Sequence, residues 1–210
     1  MDKLFAYLEN FNARPSTLHR CLEEKFAYSG EYVVSWGATR VCIFKPSWDF
    51  VLKMEKDNRQ TDYCALEAYH YDMAKKYNVQ RILLPIEKIA SFENGIKVYR
   101  QTKYSTGWYD REHRDKVMSK KAFVSMKDSK QFRKIMEGVH DQISYEWVAR
   151  TIQLYGKKFM LSFEQWLNEY EINDLHTGNI GMLNNRPILL DYAGYRGSSY
   201  LPSQEIRSSY

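Results

Sequence analysis

The spacing of apolar residues changes several times along the chain, and each change predicts a different kind of element. Over residues 2–12 and 17–26, apolar side chains recur every three or four positions, which predicts two short packing helices. From residue 28 onward the apolar residues instead form short runs rich in β-branched and aromatic side chains, which are typical of strands. The predicted strands are Tyr32–Trp36, Val41–Phe44, Phe50–Met54, Arg81–Ala90 and Gly95–Gln101.

Helical spacing returns in three later segments, at 61–76, 145–155 and 159–170. The chain then enters two short apolar runs, Ile180–Leu183 and Ile188–Leu190. An Asn-Asn-Arg-Pro sequence separates these runs and indicates a hairpin turn. Five strands followed by helices and a hairpin predict an α+β fold.

The composition is that of a chain able to build a core. It has 210 residues, of which 44% are apolar and 15% aromatic, enough for one domain or two small lobes. No apolar run approaches the roughly 18 residues of a membrane span, and the first residues lack the pattern of a secretion signal. The three cysteines form no close pair, so a disulfide framework is not expected. These features predict a cytoplasmic protein without a membrane segment.

Positive charge is concentrated in the middle of the chain. Residues 97–134 contain 12 Lys and Arg against 4 Asp and Glu, a local charge of +8, whereas the whole chain carries +5 and the remainder therefore −3. Such a segment favours an acidic partner, whether a protein, a phosphate or a nucleic acid. A solvated surface explains the same charge, so both interpretations stay open at this point.

Three polar residues stand out around the predicted hairpin. Asp174 and Asn179 lie five positions apart in the loop before it, and Asp191 follows its second strand. A carboxylate, an amide and a second carboxylate are the groups needed to manage a triphosphate bound to magnesium. The alternative is an ordinary loop and hairpin with polar ends. The chain has no Walker-type phosphate loop, dinucleotide-binding glycine fingerprint, Gly-x-Ser-x-Gly elbow or zinc-ligand spacing.

This arrangement resembles the catalytic centre of the protein-kinase-like superfamily. The Asp-Leu-His-Thr-Gly-Asn loop is similar to that of aminoglycoside-phosphotransferase-like kinases and of small phage and bacterial effector kinases, above all phage serine/threonine kinases of the T7 type. The resemblance implies that Asp174 orients the acceptor hydroxyl as a base, and that Asn179 and Asp191 bind magnesium. It also implies a five-stranded antiparallel N-lobe with one helix and a reduced, mostly helical C-lobe.

The same resemblance assigns residues of the predicted sheet to ATP. Lys53 on the third strand would hold the phosphates, and Glu67 on the following helix would form an ion pair with Lys53. Residues 98–101 would be the hinge that binds adenine. The turn that covers the phosphates would consist of Gly37, Ala38 and Thr39, without the usual triple-glycine signature.

Five parts of the chain are expected from this resemblance. They are an N-terminal helical segment (1–27), the N-lobe (28–101), a basic insertion (102–140), the reduced C-lobe with the catalytic loop (141–196) and a flexible tail (197–210). Two features depart from the family pattern. A Tyr-Ala-Gly sequence follows Asp191 in place of Phe-Gly, and only 19 residues follow Asp191, too few for the substrate platform of a full protein kinase.

The sequence thus predicts a small serine/threonine protein kinase that uses ATP and Mg²⁺. It would act on a host or partner protein or on itself, in the host cytoplasm if a phage or pathogen encodes it. Two other functions stay open. A kinase-fold module without catalysis could bind and inhibit a partner, which the poor glycine turn and the short C-lobe favour. A small-molecule kinase of the aminoglycoside type is favoured by the loop sequence, but no substrate subdomain is recognisable.

Overall fold

The computed structural model of the chain divides into two units. The first contains Met1–Tyr69 and Pro85–Lys103, and the second contains His70–Leu84 and the described residues from 104 onward. The predicted tail and almost all of the predicted basic insertion lie outside the described residues. The described residues are 1–37, 39–56, 62–104, 145–172, 179–184 and 186–193.

A five-stranded antiparallel sheet forms the centre of the first unit, so the mixed α+β class is confirmed. The runs of β-branched and aromatic residues account for the sheet, since such side chains fit a pleated, half-buried surface. The strand order is β1-β2-β3-β5-β4, which pairs the fifth strand on both sides. The strands are β1 (Val33–Trp36), β2 (Arg40–Phe44), β3 (Phe50–Glu55), β4 (Ile86–Ser91) and β5 (Lys97–Thr102).

Two N-terminal helices pack on one face of this sheet. They are α1 (Asp2–Glu9) and α2 (Leu18–Leu22), and α2 continues as a π-helical turn over Glu23–Ala27. Asn94, in the turn between β4 and β5, donates from its side chain to the carbonyl of Leu8 at 2.7 Å and so ties this turn to α1. The shared core consists of Leu4, Leu8, Phe11, Leu18, Leu22, Phe26, Tyr32, Val41, Ile43, Leu52, Met54, Ile96 and Val98.

The first half of α3 (Tyr63–Lys76) packs on the other face of the sheet. Its start is capped by Asp62, whose Oδ1 accepts a hydrogen bond from the backbone N–H of Ala65 at 2.9 Å. Side chains alternate between the faces of a strand, so Val98 and Tyr99 of β5 belong to different cores. The smaller core under α3 consists of Cys64, Ala65, Ala68, Ile86 and Tyr99.

The second unit combines helices with one hairpin. It contains the second half of α3, together with α4 (Tyr145–Tyr155), α5 (Lys157–Glu169) and the hairpin of β6 (Ile180–Leu183) and β7 (Arg186–Leu189). Its largest fully buried side chains are Trp147, Trp166, Tyr192 and Phe163. In the described part of the chain, no helix combines the length and apolar character needed to cross a membrane.

Two expectations about the sheet are wrong. Residues 81–85 are not part of a strand, because Gln80–Ile82 forms a 3₁₀ turn and β4 begins only at Ile86. Pro85, which has no N–H to donate, lies directly before that strand. Residues 98–101 are not a free hinge, because β5 pairs with both β3 and β4 over residues 99–101. Its backbone groups are therefore engaged within the sheet.

Candidate functional site

Lys53 lies in the middle of β3. It pairs with Cys42 of β2 on one side and with Tyr99 of β5 on the other. Because successive strand residues point to opposite faces, Leu52 and Met54 enter the core under the N-terminal helices, and Lys53 points to the face covered by α3. The lysine is buried, with 6% of its surface exposed.

Glu67 of α3 contacts this ammonium group. The start of α3 is held to β3 by Glu55, whose Oε1 accepts a hydrogen bond from the N–H of Cys64 at 2.8 Å. Glu67 follows one turn later and has no exposed surface. Its Oε2 accepts a hydrogen bond from Nζ of Lys53 at 2.8 Å. The structure therefore brings Lys53 and Glu67 together, as the sequence predicts.

Arg40 and Gln101 join this pair in a buried cluster. Nη1 of Arg40 donates to Oε2 of Glu67 at 2.9 Å. Oε1 of Gln101 accepts from Nζ of Lys53 at 2.9 Å, and Nε2 of Gln101 donates to Oε1 of Glu67 at 3.1 Å. Both carboxylate oxygens are thereby hydrogen-bonded. These four residues form the Glu67 cluster.

The ionised groups of the Glu67 cluster stabilise one another. Burial alone would raise the pKa of Glu67, but the positive charges of Lys53 and Arg40 outweigh it, and the pKa lies below its ordinary value. Burial alone would lower the pKa of Arg40, but the negative charge of Glu67 outweighs it, and the pKa is raised. Glu67 is therefore ionised at neutral pH and binds two cations.

The side chains of Arg40 and Gln101 were not predicted to contact Glu67. The signal that could have found them is the alternation of side chains along a strand. Arg40 stands two residues before Cys42, and Gln101 stands two residues after Tyr99, so both share the face of Lys53. Reading each strand face separately would have grouped these polar residues beneath α3.

Two described residues of the turn between β1 and β2 are hydrogen-bonded through their backbones. The N–H of Gly37 donates to the carbonyl of Arg40 at 3.0 Å, and the carbonyl of Thr39 accepts from the N–H of Lys56 at 2.7 Å. The amide of Gly37 is therefore engaged within the turn, and its expected part in covering the phosphates stays a prediction. Ala38 lies outside the described residues.

Asn179 and Asp191 flank the open end of the β6–β7 hairpin. The strands pair Ile180 with Leu189, and the next hydrogen bond runs from the N–H of Leu190 to the carbonyl of Asn179 at 2.6 Å. Asp191 follows directly, with φ of 52°, a left-handed conformation that Asp adopts more readily than most residues. Such backbone outliers cluster at functional sites. An amide oxygen and a carboxylate at one hairpin end fit Mg²⁺, which prefers oxygen ligands.

The residue after Asp191 is held at two points. Tyr192 is fully buried, and its hydroxyl donates to the carbonyl of Leu84 at 2.6 Å. Its own carbonyl lies 2.8 Å from Nδ1 of His70 on α3. These contacts fix the backbone directly beyond Asp191. His70 itself is buried, with 1% of its surface exposed.

A cleft of about 400 Å³ lies elsewhere on the sheet. Phe50 and Arg100 line it, and their side chains point to the face opposite that of Lys53 and Gln101, because strand side chains alternate. Of the Glu67 cluster, Gln101 alone is among the lining residues of this cleft. Its lining residues are Asp49, Phe50, Pro85, Glu87, Arg100, Gln101 and Thr102.

No protein-family model matches this chain, and no curated protein matches it. Function is therefore inferred from the arrangement of the predicted residues. Lys53 and Glu67 are in contact in the first unit, and Asn179 and Asp191 lie at one hairpin end in the second. Asp174, the expected base, lies outside the described residues, so its role stays a prediction.

Proposed function

We propose that this protein is a magnesium-dependent kinase with a protein-kinase-like fold, which transfers the γ-phosphoryl group of ATP to a protein hydroxyl. The observation that carries the proposal is the buried ion pair between Lys53 on the third strand and Glu67 on the following helix. Protein kinases use a lysine and a glutamate from these two elements to hold the phosphates of ATP. A five-stranded antiparallel sheet beneath that helix supports the same proposal.

Lys53 suits phosphate binding because it is positioned before a ligand arrives. An ammonium group has three N–H donors, and two of those of Lys53 bond to Glu67 and Gln101. The third can bond to a phosphate oxygen without breaking either contact. Phosphoryl transfer depends mainly on positioning and on charge stabilisation, so a fixed buried cation is the kind of group the reaction needs.

Asn179 and Asp191 would hold Mg²⁺ through an amide oxygen and a carboxylate. Bound Mg²⁺ supplies positive charge that neutralises the phosphate oxygens during transfer. The hairpin register sets the two residues at the same end, and a slip by one residue would turn every side chain of the slipped strand to the other face. Asp174 would accept the proton of the acceptor hydroxyl.

Incubation with labelled ATP and Mg²⁺ in a host lysate tests this function. The wild-type chain should label protein, and Asp174→Asn should lose about 10²- to 10⁴-fold in transfer, the usual contribution of a general base. Asp174→Asn should still be stabilised against heat by ATP with Mg²⁺, whereas Asp191→Asn should lose most of that stabilisation. Lys53→Ala should lower transfer, and Lys45→Ala, which removes a lysine paired on the surface with Glu31, serves as its control.

Each assignment can fail separately in these assays. Equal magnesium-dependent stabilisation of the wild type and Asp191→Asn would remove the metal assignment. Undiminished transfer by Lys53→Ala would remove the phosphate assignment. Circular dichroism of every variant establishes that a lost activity is not a lost fold.

One observation favours a second function, a kinase-fold module that binds a partner without transferring phosphate. The N–H of Gly37 already bonds to the carbonyl of Arg40, so the turn offers one amide fewer to phosphates. Such a module would neither transfer label nor be stabilised by ATP with Mg²⁺, yet would capture its partner from a lysate.

An acidic partner of the basic segment 97–134 is compatible with either function. Lys97 is already paired with Asp62 at 2.9 Å, and Nε of Arg100 lies 2.7 Å from Glu87. The positive charge available to a partner therefore comes mainly from residues beyond 104, which lie outside the described residues up to 144.

Serine substitutions test this partner. The variant should capture an acidic protein more weakly than the wild type does. The difference between the two should be largest at low salt, since exposed charges act over only about 8 to 10 Å at physiological salt. If the serine variant captures the partner as well as the wild type at every salt concentration, the segment is only a solvated surface. The substitutions are Arg111→Ser, Arg114→Ser, Lys120→Ser and Lys121→Ser.

A further inference from the structure

We propose that the outer edge of β1 binds an extended segment of a partner protein, which adds to the sheet as a further strand. The segment would be uncharged at its centre and acidic at its ends. The inference goes beyond the proposed function and does not depend on it, because it rests on the backbone, the exposed side chains and the charges around β1.

Every second residue of β1 turns its backbone N–H and C=O away from β2. Hydrogen-bonded and non-hydrogen-bonded pairs alternate along an antiparallel ladder, and the bond from the N–H of Gly37 to the carbonyl of Arg40 sets their phase. Val34 and Trp36 therefore face outward. Within the described residues, β2 alone pairs with β1, and no hydrogen bond between elements involves the backbone of Val34 or Trp36.

β1 lacks the features that usually keep the edge of a sheet from pairing with another chain. Natural edge strands are protected by charged side chains, prolines or bulges. The residues Val33–Trp36 are uncharged, contain no proline and pair with β2 without a shift of register. Three large apolar side chains are exposed in and just before the strand: Tyr28 is 80%, Val33 41% and Trp36 43% exposed. Apolar surface beside an open edge is what strand addition requires.

The charges before β1 leave an excess of one cation. Lys45 is paired with Glu31 across the start of the strand, and the charge of Lys3 on α1 also acts on Glu31. Two cations thus face one carboxylate. The charged side chains of α2 and its π-helical turn sum to zero; they are those of Arg20, Glu23, Glu24 and Lys25.

A further cation lies beyond the other end of β1. Nζ of Lys56 is 3.4 Å from the carbonyl of Gly37, the residue that follows the strand. Glu55, directly before Lys56, bonds instead to the N–H of Cys64 at the start of α3. Among the described residues, both ends of β1 are therefore positively charged.

These charges favour a foreign segment over a second copy of this chain. Pairing of β1 with β1 of another copy, in either direction, would place positive ends together. A segment with Asp or Glu at both ends would instead meet opposite charges, and such complementarity selects one partner over others. Uncharged β-branched residues at its centre would pack beside the exposed apolar side chains of the edge.

Hydrogen exchange of the whole chain, followed by NMR with and without a synthetic peptide, tests the inference. The probe is the acetylated and amidated peptide Asp-Glu-Thr-Val-Thr-Val-Glu-Asp, at millimolar concentration. It should slow exchange of the amides of Val34 and Trp36 severalfold. A second peptide with Lys in place of every Asp and Glu should slow them far less.

Two variants at one position separate backbone pairing from the loss of a side chain. The N–H of Trp36 points away from β2, so a proline there removes no bond to β2. Trp36→Thr loses the same indole but keeps the N–H. Trp36→Pro should bind the acidic peptide about tenfold more weakly than Trp36→Thr, because it lacks a donor and its ring obstructs the added strand. Equal affinities in two folded variants would overturn the inference.

A charge variant provides an independent measurement, also in the case that Trp36→Pro fails to fold. Lys3→Gln combined with Lys56→Gln should weaken binding of the acidic peptide severalfold at low salt, and less at high salt. An unchanged affinity at low salt would refute the choice of an acidic partner.

The remaining outcomes also contradict the inference. Equal protection by the acidic and the lysine peptide, or protection by neither, would overturn it. Dimers that protect Val34 and Trp36 at high protein concentration would assign the edge to a second copy instead. Slow exchange of these two amides in the free monomer would show that another part of the chain already pairs with β1.

Discussion

Gln101 accepts a hydrogen bond from Nζ of Lys53 at 2.9 Å through its Oε1, although 48 residues separate the two. The same side chain donates through Nε2 to Glu67 at 3.1 Å. Lys53, Glu67 and Gln101 thus form a closed ring of three hydrogen bonds. An amide suits this position because it supplies an acceptor and a donor together.

Gln101→Leu should destabilise the protein. It leaves Lys53 and Glu67 each without one buried hydrogen bond, and the free energy of unfolding should fall by about 1 to 3 kcal/mol. Urea denaturation measures the change. Arg100→Gln, at the next position of β5, is the control, since Arg100 and Glu87 are 50% and 56% exposed and such a pair contributes less than about 1 kcal/mol. Equal losses in the two variants would show that the ring adds no stability.

The contribution of Glu55 to stability should fall as pH rises from about 4.5 to about 7. Burial, with Asp62 adding to it, raises the pKa of Glu55 from 4.5 to about 7, against the opposing effects of Cys64 and Arg40. In that pH range the folded protein retains a proton that the unfolded chain has released, so the free energy of unfolding decreases with increasing pH.

Comparison of Glu55→Gln with the wild type isolates this contribution. The variant cannot ionise at this position, so its free energy of unfolding should change less between pH 5 and pH 7.5 than that of the wild type. The difference is on the order of 3 kcal/mol at most. Parallel pH profiles of the two proteins would contradict the prediction.

Asp62→Ala should destabilise α3. The carboxylate of Asp62 caps the helix through the N–H of Ala65, and its second oxygen contacts Lys97 at 2.9 Å and Tyr99 at 3.2 Å. Loss of a cap costs about 0.5 to 2 kcal/mol. Asp62→Asn keeps the capping oxygen and should retain most of the stability. Thermal denaturation measures both variants. If Asp62→Asn lost as much stability as Asp62→Ala, the effect would come from the ion pair with Lys97 and not from the helix cap.

Tyr192→Phe should cost about 1 kcal/mol of stability, the net contribution of a typical buried hydrogen bond. It removes the bond from the hydroxyl to the carbonyl of Leu84. Tyr77→Phe removes a hydroxyl that bonds to Glu169 at the surface of the same unit, so it should change stability little. Chemical denaturation measures the free energy of unfolding of both variants. Equal losses would show that a buried hydrogen bond at Tyr192 contributes no more than an exposed one at Tyr77.

Most strands were predictable because their information is local. The runs around Val41, Leu52 and Val98 combine β-branched or aromatic residues with turn residues at their ends, and each forms a strand. Residues 81–85 were wrongly predicted as part of a strand, because an apolar run does not reveal which part of the chain it packs against. Leu83 instead makes a parallel bridge with Leu189 of the hairpin, a contact more than a hundred residues away that no local pattern contains.

The hairpin shows the same limit at the scale of single residues. Its turn was expected over Asn184–Pro187, but Leu183 pairs with Arg186 and Met182 with Pro187, so the last two of these residues belong to β7. Pro187 was interpreted as a turn residue, although a proline is tolerated where its missing N–H faces away from the partner strand. The pairing of Ile180 with Leu189 leaves Asn179 and Asp191 together at the open end of the hairpin.

The contact between Lys53 and Glu67 was predictable from the sequence, whereas the other contacts of Glu67 were not. A single lysine on β3 and a glutamate 14 residues later could be paired from their elements alone. Arg40 and Gln101 lie 27 and 34 residues from Glu67. Both converge on it only because β2 and β5 flank β3, an arrangement that the sequence of any one strand does not reveal.

The central position of β5 implies an order of hydrogen exchange across the sheet. The amides of residues 99–101 lie between two strands, so they should exchange with deuterium only when the whole unit unfolds. Among the described strands, β1 pairs with β2 alone, and its residues Val33, Ser35 and Trp36 are exposed. Its outer amides should exchange through local fraying, many times faster than those of β5. The backbone that carries Gln101 is thus expected among the slowest-exchanging parts of its unit.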